Sequence, residues 1–191
     1  PLKGKSAMLD CVFSAAHVAT SELVNPPAVW LRPEEGRLKL NTDGSFISED
    51  GTAGSDMILH DHNGNIVFSA CRHLYHCNNA LESELATIRE SLSLSLQWSE
   101  LPIDIESDCL EAINLLKKGE MDRSANSFMV HEIKIIMDQR NSCITHIYHS
   151  QNNVSHLLAS FGRTTGRTMV WLGSGPDGVV KLCNSAGSSA T

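Results

Sequence analysis

The sequence predicts an α/β domain: a mixed sheet of five strands with helices packed on its faces. Three observations predict it. Three extended segments come first, between positions 38 and 74, with an Asn-Gly turn among them. Two later extended segments, 101–107 and 143–149, alternate with stretches of helical periodicity. The 191 residues are 41% hydrophobic, enough for one core and a few tens of residues outside it. An antiparallel meander followed by strand–helix crossovers closes as one mixed sheet.

The elements follow in order. Leu38-Lys39-Leu40-Asn41-Thr42-Asp43 has strand periodicity, and Asp43 ends that strand just before the turn residue Gly44. Residues 57–60 and 66–74 are the next two strands, joined by Asp61-His62-Asn63-Gly64. A helix comes next, capped by Asn79 with Glu82 completing the box, and Leu81, Leu85, Ile88, Leu92 and Leu96 share one stripe. After the fourth strand, Asp108 opens a second helix that runs to Lys118 and stops at Gly119. A third amphipathic helix uses Phe128, Met129, Ile133, Ile136 and Met137. The fifth strand leads to a last helix that begins at Asn152 and carries Val154, Leu157, Leu158 and Phe161. Outside this core, residues 1–36 read as an N-terminal extension and linker, with a short helix over 14–24 ended by Asn25-Pro26-Pro27. Residues 37–172 form the domain, and 173–191, rich in Gly and Ser, form a flexible tail.

Composition removes several classes. With 13 Gly and 6 Pro, collagen-like and disordered chains are excluded. No apolar run approaches the ~18 residues of a membrane span, and no segment has the pattern of a secretory signal. An intracellular protein of the nucleus or cytoplasm is therefore expected, not secreted, not membrane-bound and monomeric. The six cysteines include no CxxC pair, which argues for reduced thiols over a disulfide framework or a paired-cysteine zinc site. Lys and Arg number 15 against 22 Asp and Glu, a net charge of −7. That argues against a tight nonspecific nucleic-acid coat, whose affinity comes from phosphate counterion release. It is compatible with an enzyme that holds metal ions between carboxylates.

Three acids sit at element boundaries: Asp43, Glu84 in the first turns of the first helix, and Asp108 where the fourth strand meets the second helix. Taken singly, each has an ordinary reading. Asp43 serves as a turn residue, Glu84 as a solvated glutamate about 60° off the leucine stripe, and Asp108 as a helix cap with Glu111. Their joint placement matters more, because strand ends and helix starts of a mixed sheet converge on one rim. Three carboxylates brought together repel unless cations neutralise them, and Mg²⁺ suits oxygen ligands of this kind.

Five stretches stand out in order: Leu38 through Ser45, His60-Asp61-His62-Asn63-Gly64-Asn65, Leu81-Glu82-Ser83-Glu84-Leu85-Ala86, Ile105-Glu106-Ser107-Asp108, and His146 through Ala159. In them the chain resembles the type 1 ribonuclease H fold, within the ribonuclease H-like superfamily, and specifically its plant, retroelement-derived branch. The resemblance implies that Asp43, Glu84 and Asp108 are three of four metal-binding acids. Glu84 is preferred to Glu82 because it directly precedes Leu85-Ala86. It also implies that His146 helps proton movement around the leaving group, with His149 a competing candidate. The fourth acid is a departure: His156 stands where the pattern has an aspartate, four residues after Asn152. A histidine there can still ligate a metal and favours Mn²⁺ over Mg²⁺. Three smaller departures are Ser55-Asp56 in place of small residues, His60 in place of an arginine, and Asp104 in place of an apolar residue. Each reduces favourable charge toward a polyanion.

The function implied is an endonuclease that hydrolyses the RNA strand of an RNA–DNA hybrid with Mg²⁺, Mn²⁺ able to substitute, its activity weakened or metal-shifted by His156. The alternatives are a catalytically inactive nucleic-acid-binding or scaffold module of the same fold, or a terminal piece of a retroelement reverse transcriptase separated from its polymerase.

Overall fold

The computed structural model describes residues 30–74, 76–119 and 123–176. The helix expected over 14–24 and most of the expected tail lie outside them. The strands are β1 (Leu38–Phe46), β2 (Ala53–His60), β3 (Ile66–Leu74), β4 (Ile103–Ser107), β5 (Cys143–His146) and β6 (Met169–Leu172). The helices are α1 (Ala80–Ser95), α2 (Leu110–Lys117), α3 (Ser127–Gln139) and α4 (Asn153–Thr165), and a 3-10 turn spans His149–Gln151. Among the described residues, no helix is long and apolar enough to cross a membrane.

One sheet holds all six strands in the order β5-β4-β1-β2-β3-β6. The pairs β1–β2, β2–β3 and β3–β6 are antiparallel, while β1–β4 and β4–β5 are parallel. This is the expected mixed sheet with one strand more. The sixth strand, Met169-Val170-Trp171-Leu172, is a short apolar run on the sheet edge without polar alternation, so period 2 does not mark it. The backbone continues along β3 past that strand, with Gly173 N–H donating to Val67 O and Ser69 Oγ to Ser174 O.

Alternation along the strands builds two layers. Leu38, Leu40, Met57, Leu59, Phe68, Ile103, Ile105 and Ile144 face the large core, where α1 contributes Leu85, Ile88 and Leu92, α2 contributes Ile113 and Leu116, and α3 contributes Val130, Ile133 and Met137. Each such leucine or isoleucine, fully buried, contributes about 1.5–3 kcal/mol. The opposite face carries a smaller cluster of Ile58, Cys71 and Leu158, covered by α4 and flanked by Met169 and Trp171. Phe128, expected on the apolar stripe of α3, is instead 90% exposed, because Val130, Ile133 and Met137 form the buried line. On α4, Leu158 is buried, whereas Leu157 and Phe161 face solvent.

Local chemistry places the element ends. Asn79 Oδ1 accepts the Glu82 N–H at 2.9 Å, as a cap should. The Glu82 carboxylate reaches one residue further back than a capping box requires and binds Asn78 N at 2.8 Å. The second helix starts later than expected: Cys109 is its N-cap position, and Asp108 precedes the helix. The fifth strand ends at His146, where the chain turns into the 3-10 segment. Trp30 lies against β1 on the face that α4 covers further along, its indole N–H on Asn41 Oδ1 at 3.2 Å and its ring 4.6 Å from that of His60.

Candidate metal centre

The parallel pair β1–β4 sets the site. Its register runs from Leu38 opposite Ile103 to Asn41 opposite Glu106. Extended two places, the same offset brings Asp108 level with Asp43, outside the carboxyl end of β4. That is where open α/β sheets bind ligands. Asp43 is not at a strand end as the sequence implied: β1 continues to Phe46, and Asp43 is buried within it. The following Gly44 serves close approach, not a turn. A Cβ there would stand 2.9 Å from Glu84 N and 3.0 Å from its Cα, so only glycine lets α1 press its second turn against the strand. The Gly44 N–H then donates to Glu84 Oε2 at 3.2 Å.

Asp43, Glu84 and Asp108 thus meet, each offering an oxygen within 4.8 Å of the other two. Glu84, which its helical angle would leave solvated, is buried. Burial pushes its carboxyl well above the usual range, and the charges of Asp43 and Asp108 add to the rise. Asp43 is raised to about 6, first by burial and then by Asp108, with His156 and His149 pulling the other way. Buried, mutually repelling carboxylates are the donor set that a hard divalent cation neutralises, so the residues present fit such an ion.

The histidines arrive from β5, the 3-10 turn and α4. His146 Nε2 lies 3.2 Å from the Asp108 backbone oxygen, its ring edge-on to Tyr148. His149 reaches the carboxylate itself, with Nδ1 2.7 Å from Asp108 Oδ2. His156 Nδ1 is 3.2 Å from Asp43 Oδ2, and the His149 and His156 rings are 4.7 Å apart. Asp43, His149 and His156 form a second group with ligand atoms within 4.8 Å of one another. Sequence reasoning missed one residue that positions all this. Asn152 is buried, and its side-chain N–H donates to Thr42 O at 3.0 Å, tying the start of α4 to the strand beside Asp43. Read as a helix starter, Asn152 in fact makes no capping bond.

Two expectations about charge are corrected, those for Asp56 and Asp104. Asp56 faces neither a hybrid nor solvent: it is fully buried under α4 as the cross-strand partner of Asp43. Burial and then the Asp43 charge push its carboxyl well above the usual range. Ser155 is near enough to favour the charged form, yet no hydrogen bond of ordinary geometry joins them, and both Asp56 oxygens lack a partner. Asp104 is neutralised by Arg37, with Nη2 2.5 Å from Oδ1. His60 is buried beside Trp30, and burial lowers it to about 4, so it carries no charge at neutral pH.

The strand order, the helices on both faces and the acids at the β1–β4 end define a ribonuclease H-like fold. Residues 41–162 match the model of the reverse transcriptase-like family, and the chain belongs to that family. Similar solved structures include RNase H1 from the halophilic archaeon Halobacterium salinarum NRC-1, at 16% identity and a TM-score of 0.62, covering 68% of this chain and 98% of that one. LC11-RNase H1, isolated from compost by a metagenomic approach and solved in complex with RNA/DNA hybrid, is 13% identical with a TM-score of 0.61, covering 68% and 98%. The foamy viral protease-reverse transcriptase in complex with RNA/DNA hybrid is 17% identical with a TM-score of 0.59, covering 77% of this chain and 23% of that one. At these identities the likeness is one of fold. No curated protein matches the chain.

Proposed function

We propose that the protein is an RNA–DNA hybrid ribonuclease, an endonuclease of a plant, retroelement-derived line, and that residues 37–172 are its catalytic domain. The observation that carries this reading is the meeting of Asp43, Glu84 and Asp108, from β1, α1 and the end of β4, within 4.8 Å. Asp43, Glu84 and Asp108 would hold Mg²⁺, or Mn²⁺ in its place, which would supply charge neutralisation for a phosphodiester hydrolysis. Asp43 and Glu84 hold their oxygens rigidly, one in mid-strand and the other against the Gly44 N–H. His146, held beside Asp108, would carry a proton near the leaving group. The hybrid would be read by shape and by its 2′-hydroxyls, since base edges of an A-form groove are hard to reach. Two similar structures holding RNA/DNA hybrids support this substrate.

One observation favours the second reading, a catalytically inactive nucleic-acid-binding or scaffold module: His156 stands against Asp43, where the sequence pattern calls for a carboxylate. A labelled hybrid incubated with the protein in Mg²⁺ and in Mn²⁺ separates the two. Cleavage that falls roughly a hundredfold or more in Glu84→Gln supports the enzyme. A folded protein that cuts in neither metal is the module.

A further inference from the structure

We propose that Asp43, His149 and His156 form a cation site of their own, adjoining the carboxylate cluster and sharing Asp43 with it, that selects a borderline transition-metal dication such as Zn²⁺, Co²⁺ or Mn²⁺. Their ligand atoms lie within 4.8 Å of one another. Ligands about 2.0–2.2 Å from such an ion stand roughly 3–4 Å apart, so small side-chain rotations close the site. Two imidazoles and one carboxylate are a nitrogen-rich set that suits these ions, whereas Mg²⁺ prefers oxygen alone.

The elements that bring the ligands are held firmly. Asp43 is in mid-strand, and His149 and His156 are seven residues apart on the 3-10 turn and the first turn of α4, which Asn152 ties to Thr42 O. His149 already touches Asp108 through Nδ1 at 2.7 Å, the carboxylate–histidine pairing that orients a ligand imidazole. The two side chains are 61% and 49% exposed, so the site opens to solvent and to a phosphate on its outer side. This deepens the proposed function by naming the class of the second cation, and it rests on that reading only for the cation's part in cleavage.

Titration of the full, chelator-stripped chain with Co²⁺, followed by visible absorption, tests the site, with calorimetry of Mg²⁺ alongside. The expected result is a visible Co²⁺ band for the unmodified protein. Its apparent affinity should fall at least roughly tenfold in both His149→Ala and His156→Ala, with the Mg²⁺ isotherm unmoved. Glu84→Gln should keep the band. Both histidines are exposed, so these variants should fold, as circular dichroism would check. No Co²⁺ band, or one unchanged in both histidine variants, overturns the site. Hybrid cleavage is scored separately. Histidine-dependent Co²⁺ binding without cleavage in any metal sinks the nuclease reading and supports the site, while cleavage with histidine-independent Co²⁺ binding does the reverse.

Discussion

Replacing Asp43 by asparagine is expected to stabilise the metal-free protein at neutral and alkaline pH, a rare sign for a change at a buried position. Burial and the Asp108 charge raise its carboxyl from 3.8 to about 6. The folded protein keeps this proton up to about pH 6, whereas the unfolded chain releases it near 3.8. The contribution of this group is therefore full below 3.8, declines as pH rises between the two values, and stays lost above about 6. At about 1.4 kcal/mol per pH unit, the loss is about 3 kcal/mol. Asparagine keeps the shape without the charge, so it should recover about 2–3 kcal/mol at about pH 8 and little at about pH 4. For a chain of this size that is a rise in Tm of roughly 5–10 °C. Thermal unfolding by circular dichroism in a chelating buffer at both pH values measures it. Millimolar divalent cation should then reverse the order, because the ion stabilises only the state that binds it. A variant that melts lower than the unmodified protein at about pH 8, or gains equally at both pH values, would refute the picture of repelling buried carboxylates.

Two further outcomes follow from the packing. Gly44→Ala drives a methyl group to 2.9 Å from Glu84 N, a backbone atom that cannot swing aside. A loss of about 1–3 kcal/mol in thermal melts is expected, together with weaker divalent-cation binding by calorimetry, as Glu84 is pushed off Asp43. Asp56→Ala removes a fully buried acid whose two oxygens have no partner. Relief of that burial, about 1–3 kcal/mol less a small cavity cost, should raise the melting temperature at about pH 7.5. A lowered one would mean that the Asp56 carboxyl is satisfied after all.

Much of the sheet was legible because its signals are local. Strand period around Leu38–Phe46, the turn at Asn63-Gly64 and the Asn79 cap each lie within a few residues of the structure they determine. The three acids were legible jointly as a cluster, although Asp43 lies within β1 and not at its end. What escaped depends on partners distant in the chain. Gly44 resembles a turn residue until α1, forty residues on, is seen against it. Asp56 reads as a charge set against a polyanion until α4 covers it, and Asp104 reads as a stray charge until Arg37 pairs with it. The contact of His149 with Asp108 needs the fold of the 3-10 turn, where strand period had been expected to continue.

Gly54 of β2 touches α4 so closely that a Cβ would collide with the Ala159 carbonyl and come within 2.8 Å of Arg163 Cβ. The helix therefore rests on bare backbone, and the height at which it carries His156 above Asp43 is metered by a missing methyl group. Any side chain at position 54 would act as a shim, lifting the imidazole from the carboxylate without altering either residue. A gap set this way is tuned from within the contact between β2 and α4, by a position that bears no functional group at all.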